Sequence, residues 1–250
     1  MKKLILFFLL IPSLLFAQDW QEAKMNMGII GGSVPAAGGD SCTGTLLFSW
    51  HGENADVTLG TPAGCSAGDT VGTAVSGANI SNTQFWDGGN SVSFPTVGDY
   101  YTFDSASIFS STEGTIVFKL YPTAIGSGDY VFGAWIDADN NFVIRYTGTD
   151  EMYATWRGQA TSQNAITTDA NILVDVWRTV TVKWNTADVN PNLWIQVCDT
   201  DNLNCTTAIS NNNNLVAWSG SLSTFHIGDY GSGGSTGFID AFKIYNSVTP

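Results

Sequence analysis

The feature that most limits how this chain can fold is the spacing of its apolar runs. From Thr45 onward, stretches of five to nine residues alternate or run apolar, and each stops before a helix could complete three turns. They are GTLLFSW (44–50), GTIVFKLY (114–121), DYVFGAWI (129–136), NFVIRY (141–146), MYATWR (152–157), WRTVTVKW (177–184), LWIQV (193–197), TFHIG (224–228) and GFIDAFKIY (237–245). Turn-forming clusters separate them: GSGD, DADNN, TGTD, NTADVNPN, NNNN and GSGGS. No 11-residue window carries an amphipathic helical pattern, so the expectation is an all-β sandwich or jelly roll. The absence of any repeat of 20–50 residues argues against a propeller or solenoid. A segment of about 205 residues suits one large all-β domain. Two small immunoglobulin-like domains would need a linker near the middle, and none is seen.

Composition narrows the function classes. Hydrophobic residues make up 44% and charged residues only 12%, which excludes disorder and argues against a helical bundle, whose solvent faces are filled with Glu, Lys and Arg. Twenty-two acids against nine bases give −13, so no nucleic-acid partner is expected.

Residues 1–17 read as a secretory signal: Lys2 and Lys3, an apolar run from Leu4 to Phe16, then Ala17 before Gln18. The run is too short to span a bilayer comfortably, and no later segment reaches 18 apolar residues, so no membrane span is expected. The rival reading is an uncleaved N-terminal anchor. Cleavage would remove two lysines and no acid, leaving 22 acids and seven bases, or −15. A secreted, periplasmic or cell-surface location follows. Residues 18–44, with IIGGSVPAAGGDSCTG, read as a Gly-rich leader or linker, and 45–250 as the domain. In an oxidising compartment Cys42, Cys65, Cys198 and Cys205 read as disulfides. Of three possible pairings the local one, Cys42–Cys65 with Cys198–Cys205, suits the chain best, because the second pair brackets the turn-rich DTDNLN. No C-x2-4-C half-site supports zinc.

Four stretches resemble one family. GFIDAFKIYNSVTP looks like the last strand of laminin-G-like (concanavalin A-like) domains, and FHIGDYGSGGSTG is similar to the strand and loop before it. WRTVTVKWN resembles the family's Trp-led strand, and FWDGGNSVSF its "Asp-Gly" segment; all fall in the family's order. The resemblance implies a concanavalin A-like jelly-roll sandwich of two antiparallel sheets, frequently with a structural calcium. It does not by itself imply a function, because such folds carry many.

Simple alternation puts Phe238, Asp240, Phe242 and Ile244 on one face of the last strand. An acid on a Phe/Ile face must be paired, hydrogen-bonded or bound to metal. The resemblance favours calcium on Asp240, with Asp87, Gly88 and Glu53 as partners. The alternative is a carboxylate capping backbone N–H groups. DADNN (137–141) lacks the glycine and distal Glu of an EF-hand loop and reads as a hairpin turn, as does DTDN (199–202).

On strand 141–146, Phe142, Ile144 and Tyr146 face one way and Val143 and Arg145 the other. On 152–157, Met152, Ala154 and Trp156 oppose Tyr153, Thr155 and Arg157. With Trp135 from the neighbouring strand, the residues Arg145, Tyr153 and Arg157 form an expected glycan patch, since aromatic faces and guanidinium forks suit a sugar's apolar face and hydroxyl rim. The resemblance adds that family members often bind glycans on the concave sheet. Against this, large sandwiches need aromatic filling, and Asp137 or Asp150 could occupy the arginines. The four Glu (22, 53, 113 and 151) never fall four apart, so the Glu-x-Asp-x-x-Glu pattern of glycosidases of this fold is absent. His51 and His226 lack a nucleophile and read as structural. The expectation is a secreted, non-enzymatic carbohydrate-binding module, calcium-stabilised. The alternatives are a structural or cell-adhesion domain binding other surface proteins, and a glycoside hydrolase with an atypical site.

Overall fold

The computed structural model describes residues 46–50, 58–59, 70–86, 90–104, 109–147, 151–167, 172–187, 192–210, 215–228 and 236–246. The signal and leader readings, and those for Cys42, His51, Glu53, Cys65, Asp87 and Gly88, lie outside the described residues. Every regular element within them is a strand: β1 (Leu46–Trp50), β2 (Thr58–Leu59), β3 (Thr70–Val71), β4 (Thr73–Val75), β5 (Asn79–Ser81) and β6 (Ser91–Phe94). There follow β7 (Tyr100–Asp104), β8 (Glu113–Ala124), β9 (Ser127–Asp137), β10 (Asn140–Thr147), β11 (Met152–Gly158) and β12 (Thr161–Ile166). The last five are β13 (Arg178–Asn185), β14 (Leu193–Cys198), β15 (Cys205–Ile209), β16 (Thr224–Gly228) and β17 (Thr236–Tyr245).

Two antiparallel sheets form the sandwich, as expected for a jelly roll. One runs β15-β14-β13-β8-β17-β6-β5, with β1 also pairing β17; the other runs β12-β11-β10-β9-β16-β7-β4. Strands β2 and β3 pair separately. The consecutive strands β9 through β12 pair in chain order as a meander on one side, while β16 and β17 enter different sheets. No helix of the described residues is long and apolar enough to cross a membrane.

The core is what period-2 alternation predicts. Ile116 and Phe118 on β8, Val180 and Val182 on β13, and Leu193 and Ile195 on β14 are all fully buried. They face Phe132 and Ala134 on β9, Phe142 and Ile144 on β10, and Ala154 and Trp156 on β11. Aromatic rings fill the gap between the sheets: Phe109 stacks on Trp184 at 4.9 Å and on Trp218 at 5.2 Å, and Trp218 on Trp156 at 4.8 Å. Two of these indoles keep their N–H groups satisfied: Trp156 Nε1 donates to Val216 O at 2.8 Å and Trp184 Nε1 to Ser110 O at 2.9 Å. Large rings packed in this way account for much of the chain's aromatic content.

Candidate functional site

Strands β9, β10 and β11 expose one face of the seven-stranded sheet, and register decides what meets there. Gly133 pairs with Val143 and with His226, Val143 pairs with Thr155, Arg145 with Tyr130 and Tyr153, and Asn141 with Trp135 and Arg157. All of these side chains point away from the core, because Phe132, Ala134, Phe142, Ile144, Ala154 and Trp156 point into it. Trp135, Arg145, Tyr153 and Arg157 are therefore brought onto one surface, on the three neighbouring strands expected from the sequence.

Trp135 is held in a defined place. A Cβ built on Gly133 would lie 1.8 Å from Trp135 Cζ3 and 2.2 Å from Cη2, so the indole's six-membered ring occupies the space a side chain at 133 would take. Tyr130 meets the indole edge-on at 5.5 Å, and His226 lies 6.1 Å away. His226 in turn sits 5.0 Å from Tyr100. On the other side, the Arg145 guanidinium lies 5.4 Å from the centre of the Tyr153 ring. Tyr100, His226, Trp135, Tyr130, Arg145 and Tyr153 form one half-buried band across five strands. Tyr100, Tyr130 and His226 were not singled out for this surface from sequence. The signal was present only in TFHIG, where Phe225 and Ile227 face the core and leave His226 outward.

Polar groups complete the band. Arg157 pairs with Asp139 at 3.1 Å, and Asp150 lies outside the described residues. Asp137 is engaged locally: its carboxylate accepts Asn140 Nδ2 at 2.9 Å and the Asp139 N–H at 2.8 Å, and these bonds hold its pKa below the usual carboxylate value. Asn140, 97% shielded, uses Oδ1 to accept the N–H groups of Gln159 and Ser219. DADNN is thus a hydrogen-bonded hairpin turn, as read from sequence. Burial pushes the His226 imidazole below its ordinary 6.5, so the ring is neutral beside Trp135. Among the described residues, the buried Thr155 Oγ1 and the buried Nε atoms of Arg145 and Arg157 have no hydrogen-bond partner.

Asp240 corrects the alternation argument. It pairs with Lys119, but Lys243 pairs with Val117, so one extra residue enters β17 between them. Ala241 takes the bulge with φ of 49°. Phe242 and Ile244 face the core, whereas Asp240 and Phe238 face the opposite way; the four residues do not share a face. Asp240 is nevertheless 2% exposed, covered from outside. Its Oδ2 accepts the Trp86 N–H at 2.9 Å and its Oδ1 the Ala241 N–H at 2.6 Å. The capping role anticipated as the alternative is therefore present. It places Asp240 beside the residue that precedes Asp87 and Gly88 in the chain. Among the described residues no three His, Cys, Asp or Glu side chains gather as a metal site.

Cys198 and Cys205 form the expected disulfide and close the hairpin between β14 and β15. Inside it Asp199 accepts Asn204 Nδ2 and the Leu203 N–H at 2.9 Å, which lowers its pKa and fixes the turn read from DTDN.

No family model matches the chain, and no curated protein matches it by sequence. Solved structures do. Domain 4 of AbnA, a GH43 extracellular arabinanase from Geobacillus stearothermophilus in complex with arabinotriose, superposes with a TM-score of 0.57 at 12% identity, covering 81% of this chain and 92% of that one. The binding domain of botulinum neurotoxin DC in complex with SialylT gives 0.58 at 8%, covering 81% of this chain and 48% of that one. Trypanosoma rangeli sialidase gives 0.54 at 15%, covering 92% and 35%. The chain thus spans about half of the toxin domain and a third of the sialidase. At these identities the likeness establishes the fold alone: this chain is an all-β sandwich of two antiparallel sheets.

Proposed function

We propose that the protein is a secreted, non-catalytic carbohydrate-binding module whose ligand lies across the outer face of the seven-stranded sheet. One observation carries the reading: Trp135 is laid over a side-chain-free Gly133, giving a placed apolar platform, with Tyr130 and His226 beside it. A sugar ring stacks its C–H face on such a platform and offers hydroxyls to Arg145, Arg157 and Tyr153. Solved neighbours of the same fold, caught with arabinotriose and with SialylT, support it by analogy. Single-site affinity on an open face is modest and rises with multivalent display.

The test is a glycan and polysaccharide array with the full-length mature protein, Trp135→Ala and Arg145→Ala. Retention on a defined glycan, lost in both variants while folding is unchanged, is the expected result. Blank arrays from folded protein would overturn it and bring forward an adhesive role toward surface proteins.

Calcium is the second element of the proposal. Asp240 would hold it with Asp87, Gly88 and Glu53, and the ion would stiffen the segment that follows Trp86. The supports are the buried Asp240 carboxylate and its bond to the Trp86 N–H. Millimolar calcium should raise the unfolding temperature relative to chelator, with the increment lost in Asp87→Ala; equal melting in both media would remove calcium from the reading.

A further inference from the structure

The outer face of the eight-stranded sheet carries a second group of rings, away from the Trp135 band. Burial alternates along β8 and the first half of β17, so Phe118, Leu120 and Ile239 enter the core while Tyr121 and Phe238 face outward. Register pairs Tyr121 with Phe238, and their rings meet edge-on at 5.9 Å. Trp177 precedes β13, whose Arg178 pairs with Leu120, and so arrives beside Tyr121 at 5.3 Å. Trp86 comes from a fourth segment and meets Trp177 edge-on at 6.2 Å. All four rings are half-buried, and Phe85, next to Trp86, is 46% exposed.

The Trp86 ring is held in place. Its backbone N–H donates to Asp240 Oδ2 at 2.9 Å, and Lys119 Nζ lies 4.0 Å from the ring centre. Lys119 and Asp240 are register partners of opposite charge. Burial, then the charge of Asp175, holds the Tyr121 phenol above its ordinary pKa, so it stays a neutral hydroxyl. Beyond Tyr121 and Phe238 the exposed hydroxyls of Thr123 and Thr236 meet at 2.7 Å.

We propose that these rings are a second glycan platform, one that takes a neutral polysaccharide. Trp, Tyr and Phe rings brought from four separate segments make an apolar floor for the C–H face of a sugar, and the hydroxyls of Tyr121, Thr123 and Thr236 supply donors and acceptors at its rim. Charge selects the occupant. The chain carries −13, which opposes a second copy of itself, a nucleic acid or an anionic lipid surface. Lys119, Asp240 and Asp175 leave this end of the face without the positive charge an acidic sugar needs. A neutral, hydroxylated chain is the complement of such a surface. The platform does not depend on the Trp135 band. With sites on both outer faces one module would hold two chains, a consequence that does rest on the Trp135 reading.

The experiment is affinity electrophoresis of the full-length mature protein in gels containing linear arabinan, galactomannan or hydroxyethyl cellulose. Trp135→Ala removes the opposite band and should still be retarded by at least one of the three. Adding Trp177→Ala to it should weaken that retardation about tenfold. Melting temperature checks that the double variant is folded. Phe85→Ser, in the same Trp135→Ala background, changes an exposed ring and should weaken retardation several-fold with melting unchanged. Failure of all three polysaccharides to retard Trp135→Ala overturns the proposal, and so does retardation indifferent to both further substitutions. A dimer in sedimentation that Phe85→Ser dissociates, or binding to phosphatidylcholine vesicles that Phe85→Ser abolishes, overturns it by giving the face another occupant. Equal retardation of wild type and Trp135→Ala, with loss in Trp177→Ala, supports the platform and counts against the Trp135 band alone.

Discussion

Gly133→Ala offers the sharpest check on the Trp135 platform, because it leaves every ligand-facing side chain in place and changes only where the indole can sit. The new Cβ would meet Trp135 Cζ3 at 1.8 Å, against a comfortable carbon–carbon separation of about 3.5–4.0 Å, so the ring must retreat by roughly 2 Å. Nothing in the core has to move, since Gly133 faces outward between inward-facing Phe132 and Ala134. The backbone can accept alanine, because Gly133 is not among the residues with positive φ. Lower unfolded-state entropy returns about 0.4–1 kcal/mol, and the displaced ring gives up contacts of similar size. Net stability should therefore stay within about 1 kcal/mol, a shift of a few degrees in unfolding temperature. Binding should suffer more. Losing one placed stacking surface costs about 1–1.5 kcal/mol, or roughly tenfold in Kd. Differential scanning fluorimetry and titration with the best glycan from the array, set beside Trp135→Ala, supply both numbers. Wild-type affinity in Gly133→Ala together with loss in Trp135→Ala would refute the claim that the ring's placement matters. A fall of more than 10 °C in melting temperature would refute the claim that the ring is free to give way.

Replacing Cys198 and Cys205 by Ser opens a loop closed across a sequence separation of 7 and should cost about 2.5 kcal/mol on the chain-entropy model, read as a lower denaturant midpoint with unchanged m-value. Asp240→Ala strands the buried N–H groups of Trp86 and Ala241 and should cost about 3 kcal/mol, with Asp240→Asn losing less because its amide oxygen still accepts one of them. His226 gives a pH signature. Its folded pKa lies below the unfolded value of about 6.5, so the unfolded chain binds the extra proton first. Its contribution is complete above pH 6.5 and is lost as pH falls through the folded pKa; His226→Gln should flatten the stability slope on the acid side of 6.5, and an unchanged slope would assign the effect elsewhere. Gly158→Ala puts a Cβ 1.9 Å from the backbone oxygen of Val216, which cannot swing aside, and should lower stability by more than about 2 kcal/mol.

The long apolar strands were legible because burial on one face imposes period 2 on the sequence. β8, β10, β11, β13 and β14 fall within a few residues of the runs seen in the chain. Most of the strands that escaped notice are short or polar, although β7, with Tyr101 and Phe103 buried, is an aromatic one that escaped too. Thr161–Ile166 and Cys205–Ile209 sit at sheet edges with one side to solvent, and Thr73–Val75 and Asn79–Ser81 are three residues each. There Ser, Thr and Asn replace the apolar alternation, and pairing with a neighbour makes the strand. The Arg145, Tyr153 and Arg157 patch could be read because both strands are continuous hairpin partners. Asp240 was misjudged on its face because one bulge residue reverses all later parities, and no local feature of FIDAFKIY announces it.

By itself the sequence determined the sandwich and the inward and outward sides of β10 and β11, and it favoured the Cys198–Cys205 staple, because each follows from local spacing and side-chain alternation. Only the tertiary structure decided which outward residues from distant segments meet. His226 and Tyr100 arrive beside Trp135 from strands that enter the sheet by long crossovers, and Trp86 lands on Asp240 across 154 positions of sequence. Register, bulges and sheet order set those meetings, and they are properties of paired strands, which no single segment encodes.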